Sequence, residues 1–178
     1  MTFDETVDRW VSRIDATARV NITMDLKAVP KERPRVGKSG HVYTPKRTRV
    51  FEAEVKKLAK TQVTAPMVGG LVMTVSIFEA FPKGFTQFHI RLAEASLLLP
   101  TRGDLDNKVK AVSDALNGIA FLDDAQIGTL HAYKRYRPTD LIEVTLTQIS
   151  LSPVQLEHAL YSMKVANGGS NKPTKRST

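Results

Sequence analysis

The sequence predicts a single α+β domain in which a mixed β-sheet is packed with helices. Three observations predict it. The chain has 178 residues, a size at which one core buries about two-thirds of the unfolded surface and a second independent fold is not expected. Stretches whose apolar residues recur at every second position are interspersed with stretches whose apolar residues recur every three or four, the marks of half-buried strands and amphipathic helices. The composition, 42% hydrophobic and 25% charged, is that of a globular chain and excludes collagenous, low-complexity and wholly disordered classes. The chain holds no cysteine, so disulfide scaffolds, thiolate metal sites and cysteine nucleophiles drop out, and any metal must be held by oxygen or imidazole. No apolar run exceeds four residues and the start, MTFDETVDRW, is acidic, which predicts neither a membrane span nor a secretory signal and points to the cytoplasm.

In residues 20–28, Val20, Ile22, Met24, Leu26 and Ala28 alternate with polar residues, a half-buried strand. The stretch 30–40 (PKERPRVGKSG) has proline, glycine and cations without periodicity and reads as an exposed loop with a mobile tip at 38–40. Thr44 as N-cap and Pro45 in the first turn start a helix. Its apolar stripe is Phe51, Val55, Leu58 and Ala59, and its other faces carry Lys46, Arg47, Arg49, Lys56, Lys57 and Lys60. A second strand follows the glycine pair at 69–70, with Leu71, Met73, Val75 and Ile77 on one face. A short helix is expected near 86–97, with no clear cap to bracket it. Leu105, Val109, Val112 and Leu116 then mark a helix ended by Asn117 and Gly118. The β-rich runs 127–137 and 141–149, separated by Pro138, Thr139 and Asp140, are read as an antiparallel hairpin. Ser152, Pro153 and Gln155 open a last helix that stops at the glycines 168–169. The chain thus divides into an N-terminal extension (1–19), a core domain (20–150), a C-terminal helix (151–167) and a basic, disordered tail (168–178).

The net charge of +8 is unevenly placed. Residues 31–60 carry 10 basic and 3 acidic side chains and residues 164–178 carry 4 basic and none acidic, whereas residues 61–163 carry 8 and 10. A basic block beside a slightly acidic body suits a protein that holds a polyanion on one surface and uses carboxylates elsewhere.

The densest acidic group is Asp104, Asp106, Asp114, Asp123 and Asp124. At 100° per residue the 105–116 helix places Asp106, Lys110, Ser113 and Asn117 along one flank of its apolar stripe and Lys108 on the other. Asp104 precedes the helix, so its carboxylate can converge with that of Asp106 at the positive end of the helix dipole. Two carboxylates about 4 Å apart repel by about 1 kcal/mol in water and about 4 kcal/mol at an effective dielectric of 20, a penalty that a divalent cation removes. Oxygen ligands in an aqueous cleft suit Mg²⁺, with Mn²⁺ as a substitute. By spacing alone, the same aspartates serve equally well as a helix cap at Asp104 or Asp106 and as turn residues at Asp123 and Asp124. The histidines His41, His89, His131 and His158 are isolated, and Gly37-Lys38-Ser39 lacks the context of a P-loop. Trp10 is expected to pack the N-terminal extension onto the body or a partner.

The string DLDNKVKAVSDALNGIAFLDDAQI at 104–127 resembles the signature of the RusA family of Holliday junction resolvases. That pattern runs Asp-x-Asp-Asn, a lysine four residues after the second aspartate, Asp-Ala-Leu, a variable link and Asp-Asp-x-Gln. Upstream, PKERPRVGKSGHVYTPKRTRVFEAEV at 30–55 is similar to the basic loop and helix that precede the core in phage-type members, and the resemblance extends over residues 20–150. It implies the RusA-like resolvase fold and a Mg²⁺-dependent, structure-specific endodeoxyribonuclease. Such an enzyme resolves four-way junctions as a homodimer, by paired symmetric phosphodiester hydrolysis, in recombination and repair. Its setting would be the cytoplasm of a bacterial or phage-infected cell, at the nucleoid.

Carried over residue by residue, the resemblance puts the metal-binding carboxylates on Asp104, Asp106 and Asp124 and the catalytic lysine on Lys110. Lys108 is not the match. Asp123 is also acidic in the family pattern and is counted as an auxiliary ligand, since sequence does not show which of the two adjacent aspartates faces the metal. Many relatives have a basic residue or proline directly before the first aspartate; here Arg102 and Gly103 precede it, which shifts that phosphate contact to Arg102. The remaining DNA-binding cations are Arg33, Arg35, Lys38, Lys46, Arg47 and Arg49. Two rival readings stay open: a nuclease of the same fold acting on flaps or other branched DNA, and a DNA-binding module without catalysis.

Overall fold

The computed structural model describes residues 18–149 except 38 and 39. The expected C-terminal helix and tail, Trp10, His158 and Lys38 lie outside the described residues, as does all but the end of the N-terminal extension. Four strands form one sheet in the order β1-β6-β4-β5: β1 (Arg19–Met24), β4 (Leu71–Ala80), β5 (Ile127–Arg137) and β6 (Leu141–Gln148). The sheet is mixed, as expected. β4 runs antiparallel to β6 and parallel to β5, and β1 closes the other side antiparallel to β6.

The strand alternation settles which face is inward. Registers Met73↔Leu146, Val75↔Val144 and Ile77↔Ile142 on one side of β4, continued by Ile22↔Val144 and Met24↔Ile142, align the buried residues of three strands. Onto that face pack α1 (Lys46–Lys60), through Phe51, Val55 and Ala59, and α3 (Leu105–Leu116), through Val109, Val112, Ala115 and Leu116. All of these side chains are at most 5% exposed, and each of the larger ones, the phenylalanine, valines and leucine, contributes about 1.5–3 kcal/mol when so buried. The cations of α1 face solvent, as its stripe requires. The helix begins one residue later than expected, because Pro45, with φ −54° and ψ 144°, is the boundary residue and no side chain caps it.

The expected hairpin between 127–137 and 141–149 is not formed. β4 lies between β5 and β6, so the 138–140 connection crosses the end of β4 and is not a tight turn. Asp140 accepts a hydrogen bond from the Ala80 amide (3.0 Å), and the Phe81 amide donates to the Arg137 carbonyl (3.0 Å), sealing that crossing. Burial explains the exchange: Val75, Ser76, Ile77 and Phe78 of β4 are buried on both faces, as a central strand must be. β5 alternates between half-buried and exposed positions along most of its length and takes the edge.

The loop at 30–40 also differs from expectation. It contains a short ribbon, β2 (Arg35–Val36) paired antiparallel with β3 (Val42–Tyr43). α2 (Gln87–Glu94) is shorter than expected and does have a cap: Thr86 and His89 form a reciprocal capping box. No helix of the described residues is long and apolar enough to cross a membrane.

Candidate functional site

Helix α3 presents two chemically different flanks. On one, Asp106, Lys110, Ser113 and Asp114 line a cleft of about 680 Å³ whose far wall is Asp124 with Leu130 and Ala132 of β5. Asp106, Lys110 and Asp124 are exposed, and their side chains make no hydrogen bond or ion pair with another described residue. Asp114 is engaged, 2.8 Å from the Lys31 ammonium, which also contacts Glu52. Burial pulls the Lys31 pKa down, but hydrogen bonds and charge from Asp114 and Glu52 outweigh it and leave it above the ordinary 10.5. The Lys31 amide donates to the Asn107 carbonyl (2.8 Å), so the start of the basic segment is tied to the first turn of α3.

On the other flank, Lys108 is buried, only 1% exposed, and pairs with buried Glu79 of β4. The sequence reading puts Lys108 on the flank opposite Lys110 and gives it no part in the chemistry; the structure adds that it is a buried ion-pair partner. Its position one step outside the apolar stripe puts it over the sheet, and the acidic partner lies 29 residues upstream, where no helical spacing reveals it.

Entry into α3 depends on Gly103. Its φ is +73°, a conformation that suits glycine, and an added Cβ would stand 3.0 Å from Pro30 and 3.2 Å from the stem of Lys108. The Gly103 carbonyl accepts from Lys134 of β5 (3.1 Å). This accounts for the departure from the family pattern at 102–103: a close approach of backbone to two neighbours needs a glycine before the first aspartate.

The second acidic turn is built with equal care. Asp123 accepts from the Ala125 amide (2.8 Å) and caps a 3₁₀ turn, Asp124–Gln126. Gln126 holds that turn down: its carbonyl accepts from the Leu122 and Asp123 amides, and its NH₂ donates to the Met67 and Gly69 carbonyls. Gln126 is thus a positioning residue that sequence reasoning left without a role, although it stood in the Asp-Asp-x-Gln string. Asp123 caps this turn, and Asp124 is the one of the two aspartates that lines the cleft.

Of the expected site residues, Asp106, Lys110 and Asp124 are brought together, whereas Asp104 is the N-cap residue of α3, makes no side-chain cap bond, and is not among the cleft-lining residues. Among the described residues no three acidic or histidine side chains converge in a ready-made metal cluster. Two hard carboxylates in one cleft nonetheless fit Mg²⁺, which is commonly held by one or two carboxylates, with water and substrate oxygens completing its shell. Arg33, Arg35, Lys46, Arg47, Arg49 and Arg102 are exposed. Arg35 lies on the ribbon and sits 3.5 Å from Glu32, while Lys46 and Arg47 border a groove with Lys27.

Comparison with known proteins identifies the family. Residues 25–147 match the family described as endodeoxyribonuclease RusA. The chain is also 32% identical over 114 residues to an uncharacterized protein, YqaN of Bacillus subtilis (strain 168), a match covering 62% of this chain and 80% of that protein. The matched residues run from just after β1 into β6 and take in both walls of the acidic cleft, so the chain belongs to the RusA family of endodeoxyribonucleases.

Proposed function

We propose that the chain is a Mg²⁺-dependent endonuclease that resolves four-way DNA junctions as a symmetric homodimer in recombination and repair. The observation that carries this reading is the cleft in which Asp106, Asp124 and Lys110 stand together, unengaged by other described side chains. Asp106 and Asp124 would hold the cation, with Asp104 at the helix start as a further carboxylate. Mg²⁺, when bound, lowers the pKa of water and offsets phosphate charge. Lys110, one turn from Asp106, neutralises charge developing on the phosphate and on the leaving 3′ oxygen. In-line hydrolysis then leaves 5′-phosphate and 3′-hydroxyl ends. Arg33, Arg35, Arg47 and their neighbours would hold the arms by their phosphates. A two-fold protein matches the approximate two-fold symmetry of a junction that needs two matched cuts.

The test is incubation with a synthetic four-way junction and Mg²⁺, beside a flap and a linear duplex. Paired, symmetry-related nicks in the junction are expected. Preferential cutting of the flap would transfer the reading to another branched substrate, and binding without cutting of any substrate would end the nuclease assignment.

A further inference from the structure

A second cavity opens on the other side of the Gly103–Lys134 contact. It measures about 830 Å³, within the roughly 300–1,000 Å³ usual for sites that take small organic ligands. Its wall is aromatic. Phe81, Phe85 and Tyr136 have ring centroids 5.2–6.4 Å apart, and His89 adds a fourth ring 5.4 Å from Phe85. The rings of Phe81, Phe85 and Tyr136 are only half-buried and His89 is exposed, so they border the space without filling it. Lys27, Lys83 and Arg102 supply three cations around it. Its carboxylate, Glu79, is already paired with Lys108. Burial, reinforced by Glu79 and opposed by Arg102, pushes the Tyr136 phenol above its ordinary pKa, so the ring stays neutral.

We infer that this cavity receives one unpaired nucleobase at the branch point of the DNA, stacked on Phe85 and bordered at its edge by Tyr136, whose ring stands at 68° to that of Phe85, with its phosphate against Arg102. Stacking on aromatic rings beside a cationic path is how unpaired bases are held irrespective of sequence. The three cations at the rim favour an anionic ligand, such as a nucleotide, over an uncharged peptide or an apolar metabolite. The strand β5 joins this cavity to the acidic cleft: Leu130 and Ala132 line the cleft, Lys134 reaches Gly103, and Tyr136 lines the aromatic cavity. Four steps along the strand, from Ala132 to Tyr136, span roughly 13 Å, about four nucleotide steps at 3.4 Å each. A base captured here thus fixes which phosphate reaches Asp106 and Asp124. The inference rests on the proposed action at branched DNA, and adds how the branch is recognised.

The experiment is photocrosslinking of the full chain, without divalent metal, to three probes: a junction with 5-iodouracil at the branch, the same junction labelled in mid-arm, and an iodinated oligothymidylate. The branch probe should crosslink several-fold more than the mid-arm probe, to peptides holding Phe81, Phe85 or Tyr136. Phe85→Leu should reduce that yield and lower junction affinity about tenfold while duplex affinity holds. If Phe85→Leu fails to fold by circular dichroism, Tyr136→Leu takes its place, and the wild-type crosslink map alone still decides. Equal yields at branch and mid-arm, or crosslinks mapping outside the cavity, overturn the inference. Crosslinking of oligothymidylate in the cavity with no junction cleavage in Mg²⁺ would uphold base capture and overturn the nuclease reading. Cleavage without cavity crosslinks would do the reverse.

Discussion

Lys108 and Lys110 stand two residues apart on the same helix, yet one is buried against Glu79 and the other lies at the surface of the acidic cleft. A step of 200° around the helix separates a charge that must be neutralised for the chain to fold from one left available to a ligand. The contrast teaches that a lysine's role in such a motif is set by what faces it: Lys108 has a carboxylate and a dry surround, whereas Lys110 has solvent, Asp106 one turn away and Asp124 across the cleft.

The most severe test of that contrast strikes the exposed flank. Asp106→Asn should lower cleavage about a thousandfold or more while junction binding persists, since it removes a proposed cation ligand and reduces negative charge in the cleft. Retention of wild-type rates would place the chemistry elsewhere. Lys110→Ala should cost about a hundred- to thousandfold in turnover, with folding stability unchanged within about 0.5 kcal/mol.

Lys108→Ala should show the opposite profile. Leaving Glu79 buried without a partner costs about 3–5 kcal/mol of stability, readable by urea unfolding, whereas cleavage per folded molecule stays within about tenfold. Adding Glu79→Leu to Lys108→Met should recover most of the loss, because an apolar pair of similar volume is tolerated where half of an ion pair is not. Equal profiles for the two lysines would erase the distinction between the flanks.

Two smaller effects sharpen it. Arg33→Ala, Arg35→Ala and Arg47→Ala combined should flatten the slope of log affinity against log salt by roughly two to three units, about 0.9 per phosphate contact, with the cleft intact. Lys31→Met should cost about 1 kcal/mol. A lysine whose pKa is raised on folding contributes stability that is complete below its unfolded value of about 10.5 and is lost as pH rises through the higher folded value. The gap between wild type and Lys31→Met should therefore be full at neutral pH and close only in strong alkali.

Much of the exposed flank was legible in the sequence. The apolar stripe of α3 was regular enough to set its phase, and the flank holding Asp106, Lys110 and Ser113 follows from that phase alone. Partners distant along the chain were not legible. Nothing local marks Glu79 as the mate of Lys108, or Met67 and Gly69 as the anchors of Gln126. The hairpin expectation failed for a related reason: neighbours in sequence were read as neighbours in the sheet, while the doubly buried β4 had the stronger claim to the place between them. The cap of α2 went unseen because a histidine, and not glutamate or glutamine, completes its box at Thr86.

The insertion of β4 between β5 and β6 also has a kinetic consequence. Each partner of β4 comes from far along the chain, Leu71 facing Ile127 on one side and Gln148 on the other. Closing such long loops is paid before the contacts return anything, so folding belongs to the slower, high-contact-order regime. β5 is the last strand added on its side, and it carries Leu130 and Ala132 in the cleft and Tyr136 in the aromatic cavity. A chain emerging from synthesis therefore has its acidic helix before it has the strand that gives that helix a second wall, and competence to cut arrives only with the completed sheet.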